Sequence, residues 1–381
     1  MIRKSSKQLS VKAIYLEACQ RKDDRQRQEY LREAVGDDEN LRQRIERMLA
    51  AKECDKTSPL DAAVATLDSK GPSTESAEPA QIGPYQLLER LGRGGMGEVF
   101  VAQQRRPVKR YFALKLIKRG LETKDVLARF EAERQALAMM NHPNLTSVLD
   151  VGQTDDGRPF FVMDLVRGFP ITEYCEKHQL NLPERLELMV TVCRAVQHAH
   201  QKGVIHRDLK PSNILVELDD VRHIPKVIDF GLAKATNQSL TEHTLYTRHS
   251  QMIGTPLYMS PEQVQLTRMD VDTRSDVYSL GVLLYELLTG STPFDRETLA
   301  KAGYDEMRRI IREDEPPRPS HRISTLSAGQ RSTHCERSRE DPHQITRQVR
   351  GDLDWIVMKA LAKDRNRRYE SASALAADVE R

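Results

Sequence analysis

The chain has 381 residues, with 59 basic side chains against 56 acidic ones, and a formal charge of +3. That near-balance excludes a dedicated nucleic-acid surface, which would show as a basic excess; the length allows one large domain with a small companion, or two of medium size. Cys19, Cys54, Cys175, Cys193 and Cys335 are scattered, with no CxxC pair or Cys/His cluster at metal-ligand spacing, so they read as reduced thiols of a cytoplasmic protein. In chain order, MIRKSSKQLS lacks the apolar core of a secretory signal. Residues 1–53 then read as three short helices. Their apolar stripes are Val11, Ile14, Tyr15 and Ala18; Tyr30, Leu31, Ala34 and Val35, ending at Gly36; and Leu41, Ile45, Met48 and Leu49 behind an Asp38 N-cap. These stripes offer little surface to bury, which predicts a small helical appendage. Residues 54–83, including SKGPSTESAEPAQIGP, have the composition of a flexible linker.

From Tyr85 the pattern becomes alternating and β-branched, and after about residue 180 it lengthens to helical periods. Strands first and helices later predict a two-lobed α+β domain over 84–381, divided at about residue 166. The first chemical signal is Leu91-Gly92-Arg93-Gly94-Gly95-Met96-Gly97-Glu98-Val99-Phe100. A dinucleotide-binding loop with this glycine spacing would open a helix, whereas Glu98 to Ala102 reads as a second strand. Gly92, Gly94 and Gly97 therefore belong to a glycine-rich hairpin whose bare backbone can lie close over a triphosphate. The next strand, Tyr111 to Ile117, carries Lys115 among apolar neighbours. A buried ammonium needs a carboxylate partner and, in function, phosphate oxygens. The helix expected over Val126–Met140 supplies Glu133, ten residues before Pro143, with Glu131 in reserve.

The strongest signal is His206-Arg207-Asp208-Leu209-Lys210-Pro211-Ser212-Asn213, followed by Asp229-Phe230-Gly231. Asp208 can orient an attacking hydroxyl and accept its proton. Lys210 can steady the γ-phosphate, Asn213 can take one Mg2+, and Asp229 can bridge metal and phosphate oxygens. Phosphoryl transfer needs mainly positioning and electrostatics, and these groups supply both. The apolar run Tyr278–Leu288, interrupted by Glu286, is too short for a bilayer and reads as a buried helix.

In this order and spacing the motifs resemble those of bacterial Hanks-type serine/threonine protein kinases, over roughly residues 85–381. The resemblance implies ATP and Mg2+, with Mn2+ as a substitute, and protein substrates. It implies Met163 as the gatekeeper and Asp164-Leu165-Val166 as the adenine hinge. Val99, Ala113 and Leu215 would sandwich the ring, with Leu91 among the ATP contacts. Leu137, Val148, His206 and Phe230 match the regulatory spine and Asp276 its anchor. Ser260-Pro261-Glu262 stands for the usual Ala-Pro-Glu, with Arg368 as the expected partner of Glu262 and Arg367 as the alternative.

Serine/threonine specificity is implied by Lys210 and by Thr255 in Gly254-Thr255-Pro256. Arg207 before the base implies control by a phosphorylated activation loop; Thr247 is the first candidate and Thr244 the next, modified in trans by a homodimer. Glu286 matches an acid of basophilic relatives, but a second such position is Pro170, which argues against a strong arginine preference. The basic, turn-rich stretch 313–350 is expected to be a solvated insertion. The chain stops at Arg381 in an apparent helix, whereas relatives often continue into a membrane span, so a fragment or a short member is expected. A pseudokinase scaffold would predict loss of Lys115, Asp208, Asn213 or Asp229, and all four are present.

Overall fold

The computed structural model describes residues 30–31, 81–94, 97–118, 140–219, 222–230, 256–265, 271–325 and 342–381. The chain divides into two units, Met1–Gly71 with Leu218–Arg222, and Pro72–Glu217 with His223–Arg381. Tyr30 and Leu31 are helical; the rest of the expected N-terminal helices lies outside the described residues.

The second unit opens with an antiparallel sheet of order β1-β2-β3-β4-β6-β5. Its strands are β1 (Gln81–Ile82), β2 (Tyr85–Arg93), β3 (Gly97–Gln104), β4 (Arg110–Ile117), β5 (Val148–Gln153) and β6 (Pro159–Asp164). β1 corrects the expected linker, whose last residues are already strand. Gly83 turns the chain at φ +54, so that Ile82 pairs with Tyr85 and is buried. Directly opposed residues share a face, and side chains alternate along each strand. Phe112, Leu114 and Leu116 of β4 thus join Tyr85, Ala102, Phe160 and Val162 in an apolar cluster on one face. Ala113 and Lys115 point to the other.

The helical half holds α1 (Ile171–Lys177), α2 (Leu182–Gln201), α3 (Pro261–Val264), α4 (Thr273–Thr289), α5 (Arg296–Lys301), α6 (Tyr304–Glu313), α7 (Pro319–Ser324), α8 (Pro342–Val349), α9 (Asp352–Ala360) and α10 (Ala372–Glu380). A small sheet has the order β7 (Phe169–Pro170), β8 (Ile214–Asp219), β9 (Arg222–Val227). α2 starts on a reciprocal capping box between Asn181 and Glu184. α4 contains the run expected to be a buried helix, and Val277 to Tyr285 are buried without a break. A helix apolar all round belongs inside a core. Gly281 makes room for a neighbour, since a Cβ there would lie 2.7 Å from the Cβ of Ala360 on α9.

The stretch 313–350 is not a solvated loop at its two ends. Residues 326–341 lie outside the described region, but α7 and α8 on either side bury Ile323, Ile345 and Val349. Ser320 donates its N–H and Oγ–H to Asp354 of α9 at 2.9 and 2.6 Å, which pins α7 to the core. Abundant charge hid the Ile345/Val349 stripe and the Pro319 helix start. Trp355, the sole tryptophan, is 57% exposed on α9 and is flanked by Lys359 and the Tyr369 ring. Among the described residues, no helix is long and apolar enough to cross a membrane.

Candidate active site

The strand register assembles the first half of the site. Val99 pairs with Lys115, and Lys115 with Phe161; Val101 pairs with Ala113, and Ala113 with Met163. Val99, Ala113, Lys115 and Met163 therefore share the face opposite the sheet's apolar cluster. Met163 is buried, while Val99, Ala113 and Leu215 are half-buried and Leu91 is exposed. Among the described residues no hydrogen bond takes up the Val166 amide, whereas the Asp164 amide donates to Ser147 O at 3.3 Å. A Cβ on Gly97 would lie 2.1 Å from Leu116 O, so close pairing with β4 requires glycine there. A Cβ on Gly92 would meet nothing within 4 Å, and one on Gly94 only Gly97 O at 4.0 Å. No described atom crowds either position. Lys115 Nζ lies 2.9 Å from Asp229 Oδ2, the two side chains being 8% and 22% exposed. Glu133, its expected partner, lies outside the described residues.

The loop that carries Asp208 hangs from α4. Asp276, fully buried there, accepts from the His206 N–H at 2.8 Å, the Arg207 N–H at 2.8 Å and His200 Nε2 at 2.7 Å. Burial alone would raise its pKa, but the bond and charge of His200 and the amides hold the carboxyl below its ordinary value. His206 Nδ1 accepts from the Asp208 N–H and Nε2 faces Ile228 O, which places its proton on Nε2. The His206 ring packs edge-on against Phe230 at 4.5 Å, joining two of the predicted spine residues; Val148 packs against the same core, and Leu137 lies outside the described residues. Arg207 and Asp229 hold φ +68 and +65, conformations that cost about 1–3 kcal/mol each unless fixed by their surroundings. Lys210 Nζ lies 2.7 Å from Asp208 Oδ2, and Asn213 Nδ2 donates to Asp208 O at 2.8 Å and Oδ2 at 3.2 Å. Among the described residues, Asp208 Oδ1 and Asn213 Oδ1 take no hydrogen bond.

A family profile for the protein kinase domain matches residues 85–378. This chain belongs to the protein kinase family. The kinase is 35% identical over 302 residues to serine/threonine-protein kinase PknB of Mycobacterium tuberculosis, covering 78% of this chain and 42% of that one. It is also 35% identical over 304 residues to serine/threonine-protein kinase pkn3 of Myxococcus xanthus, covering 78% and 49%. The chain thus spans less than half the length of these curated relatives. The Mycobacterium tuberculosis PknI kinase domain superposes with a TM-score of 0.54 at 24% identity, covering 80% of this chain and 98% of that one, a likeness of fold.

Further from the reacting groups, the kinase closes its helical half with a buried ion pair. Arg368 donates from Nη1 and Nη2 to the two oxygens of Glu262 at 2.7 and 2.8 Å, so the partner of Glu262 is Arg368 rather than Arg367. Burial would raise the Glu262 carboxyl; Arg368 and the Ser275 hydroxyl hold it below its ordinary value. Tyr258 donates to Glu286 at 2.6 Å, tying the segment before α3 to the end of α4. His200, Ser275 and Gln263, which donates to Arg207 O, carry no motif that singled them out. Ser260-x-x-Gln263 is a capping spacing and predicts a helix start, but not that second bond. Thr244, Thr247 and Thr255 lie outside the described residues. Mg2+ binds through one or two carboxylates together with substrate phosphates. The absence of a cluster of three or more His, Cys, Asp or Glu among the described residues is compatible with that chemistry.

Proposed function

We propose that this kinase transfers the γ-phosphoryl group of ATP to serine and threonine hydroxyls of proteins. The observation that carries the reading is Asp208, fixed through one carboxylate oxygen by Lys210 and Asn213, with its other oxygen open. That open oxygen orients the acceptor hydroxyl and takes its proton as the new oxygen–phosphorus bond forms and the bond from the γ-phosphorus to the β,γ-bridging oxygen of ATP breaks, with ADP as the leaving group. Lys210, already against the same carboxylate, balances charge on the transferred group. Asp229 and the free Oδ1 of Asn213 would hold the divalent cation, Mg2+ or Mn2+, which supplies charge neutralisation at the phosphates. Lys115, with Glu133, holds the α- and β-phosphates under Gly92, Gly94 and Gly97. Leu91, Val99, Ala113, Met163 and Leu215 would line the adenine site, and the Asp164 carbonyl and Val166 amide would form its hinge.

Activation by loop phosphorylation is supported by Arg207, whose buried Nε has no partner among the described residues. A phosphate on Thr247, or next on Thr244, would complete it. Modification in trans by a second copy would make the onset of activity depend on protein concentration. Lys210 and Thr255 support serine/threonine acceptors over tyrosine, and the residues match a cytoplasmic catalytic domain. The test is incubation with Mg·ATP and a generic protein acceptor, followed by phosphosite mapping. Phosphoserine and phosphothreonine are expected, with a loss of about a thousand-fold or more in Asp208→Asn. Equal phosphorylation by that variant would remove Asp208 from the mechanism.

A further inference from the structure

Arg207, strained at φ +68, lies between two peptides, and each is held by one side chain from far along the sequence. The peptide before it is held at the Arg207 N–H by Asp276 Oδ1, 2.8 Å away. The peptide after it leads straight into Asp208, and its carbonyl accepts from Gln263 Nε2 at 2.7 Å. The same Gln263 amide uses its oxygen at the start of α3, accepting from Ser260 N–H at 2.9 Å and Ser260 Oγ–H at 3.0 Å. A backbone N–H can only donate and a carbonyl can only accept, so flipping the amide would break both ends. Its orientation is forced.

The segment carrying Gln263 is itself anchored. Val264 belongs to an apolar cluster with Leu299, Met307, Ile310 and Ile311, against which Leu257 and Met259 pack. Ser279 Oγ donates to Tyr258 O at 2.7 Å, and Glu262 is locked by Arg368. The link from Gln263 to the catalytic loop is therefore a tie to a rigid element. A residue in the left-handed region relieves its strain by rotating an adjoining peptide, and on the Asp208 side that rotation is resisted by the 2.7 Å Gln263 tie at the carbonyl together with the longer, 3.3 Å bond from the Asp208 N–H to His206 Nδ1.

We infer that Gln263 is a positioning residue, whose amide holds the Arg207–Asp208 peptide and keeps Asp208 in register with the segment beginning at Pro256. This rests on the transfer reaction proposed above for Asp208. The two roles of Gln263 can be separated by chemistry. Gln263→Glu keeps an oxygen for Ser260, and glutamate is a natural third residue of a capping box; it loses the donor to Arg207 O. Gln263→Met, uncharged and of similar length, loses both ends.

The experiment measures kcat, KM for ATP, Tm and amide hydrogen exchange over residues 206–209 in the full chain and both variants. For Gln263→Glu the expectation is an unchanged KM for ATP and a Tm lower by only about 3–6 °C, with kcat down and loop exchange up by about ten-fold, the loss of one good hydrogen bond. Gln263→Met should show the same fall in kcat together with a Tm lower than that of Gln263→Glu. Wild-type kcat in Gln263→Glu would reduce Gln263 to a helix cap and overturn the inference. Wild-type kcat in Gln263→Met would assign any loss in Gln263→Glu to its added charge, with the same consequence. Should the unsubstituted chain transfer no phosphate, the activity reading fails on its own; loop exchange then decides the role of Gln263, and unchanged exchange in both variants overturns it.

Discussion

Arg368→Met removes a guanidinium whose side chain is 0% exposed, from a pair in which Glu262 is 15% exposed. Arg368 also donates to the carbonyls of Ala362, Arg274 and Lys363 at 2.7, 3.0 and 3.1 Å. Breaking a buried pair from one side costs about 3–5 kcal/mol, because it strands the remaining charge. Taking about 4 kcal/mol, and about 2–4 °C of Tm per kcal/mol for a domain of this size, the apparent Tm should fall by about 8–16 °C. Arg368→Lys keeps the charge without the fork and should fall between the two proteins. Adding Glu262→Gln to Arg368→Met should recover part of the loss, since no unpaired carboxylate is then buried.

The pH dependence follows from the same pair. The folded Glu262 carboxyl lies below its unfolded value of 4.5, so its contribution is complete above that pH and is lost as pH falls through the folded value. The gap between wild type and Arg368→Met should be full at neutral pH and should narrow below about pH 4. The assay is thermal unfolding at a fixed scan rate across that range. A fall of less than about 2 °C at neutral pH, or a gap that widens in acid, would refute the reasoning.

Two glycine-loop variants should part company. Gly97→Ala places a Cβ 2.1 Å from Leu116 O and should lower Tm by splaying β3 from β4, whereas Gly92→Ala meets nothing within 4 Å and should unfold like wild type while KM for ATP rises. Thermal unfolding beside steady-state kinetics separates them, and equal Tm losses would contradict the register described. Thr247→Ala should lower the activity of preparations that phosphorylate themselves, read as phosphate incorporated into a protein acceptor, and unchanged activity would move the regulatory site to Thr244 or elsewhere.

Much of this site was legible in the chain before folding, because phosphoryl transfer demands fixed residue types at short local spacings. Asp208, Lys210 and Asn213 lie within one turn of the chain, and Lys115 stands out as a charge in an apolar strand. The residues that hold them were less visible. His200 meets Asp276 across 76 positions and Gln263 meets Arg207 across 56; Asp276 and Arg207 were anticipated through the family resemblance, whereas nothing local distinguishes His200 and Gln263 from surface polar residues. The Glu262–Arg368 pair, 106 positions apart, was anticipated through the family resemblance, and the structure supplied the choice between Arg367 and Arg368. The helical ends of 313–350 were missed for another reason. High charge and scattered prolines read as solvent, although Ile323, Ile345 and Val349 are enough to dock α7 and α8 on the core.

Trp355 has a practical consequence for every unfolding experiment above. Its indole already faces water, so its emission is already that of a wet chromophore and has little wavelength left to shift on denaturation. What unfolding changes is its company: the Lys359 ammonium at 4.6 Å and the Tyr369 ring at 6.4 Å both leave. Fluorescence will therefore report through intensity and through tyrosine-to-tryptophan energy transfer, and it will see the docking of α9 against the loop before α10. Melting of the strand-rich half needs a second optical signal, such as far-ultraviolet dichroism, and coincidence of the two curves is the measure of whether the halves come apart together.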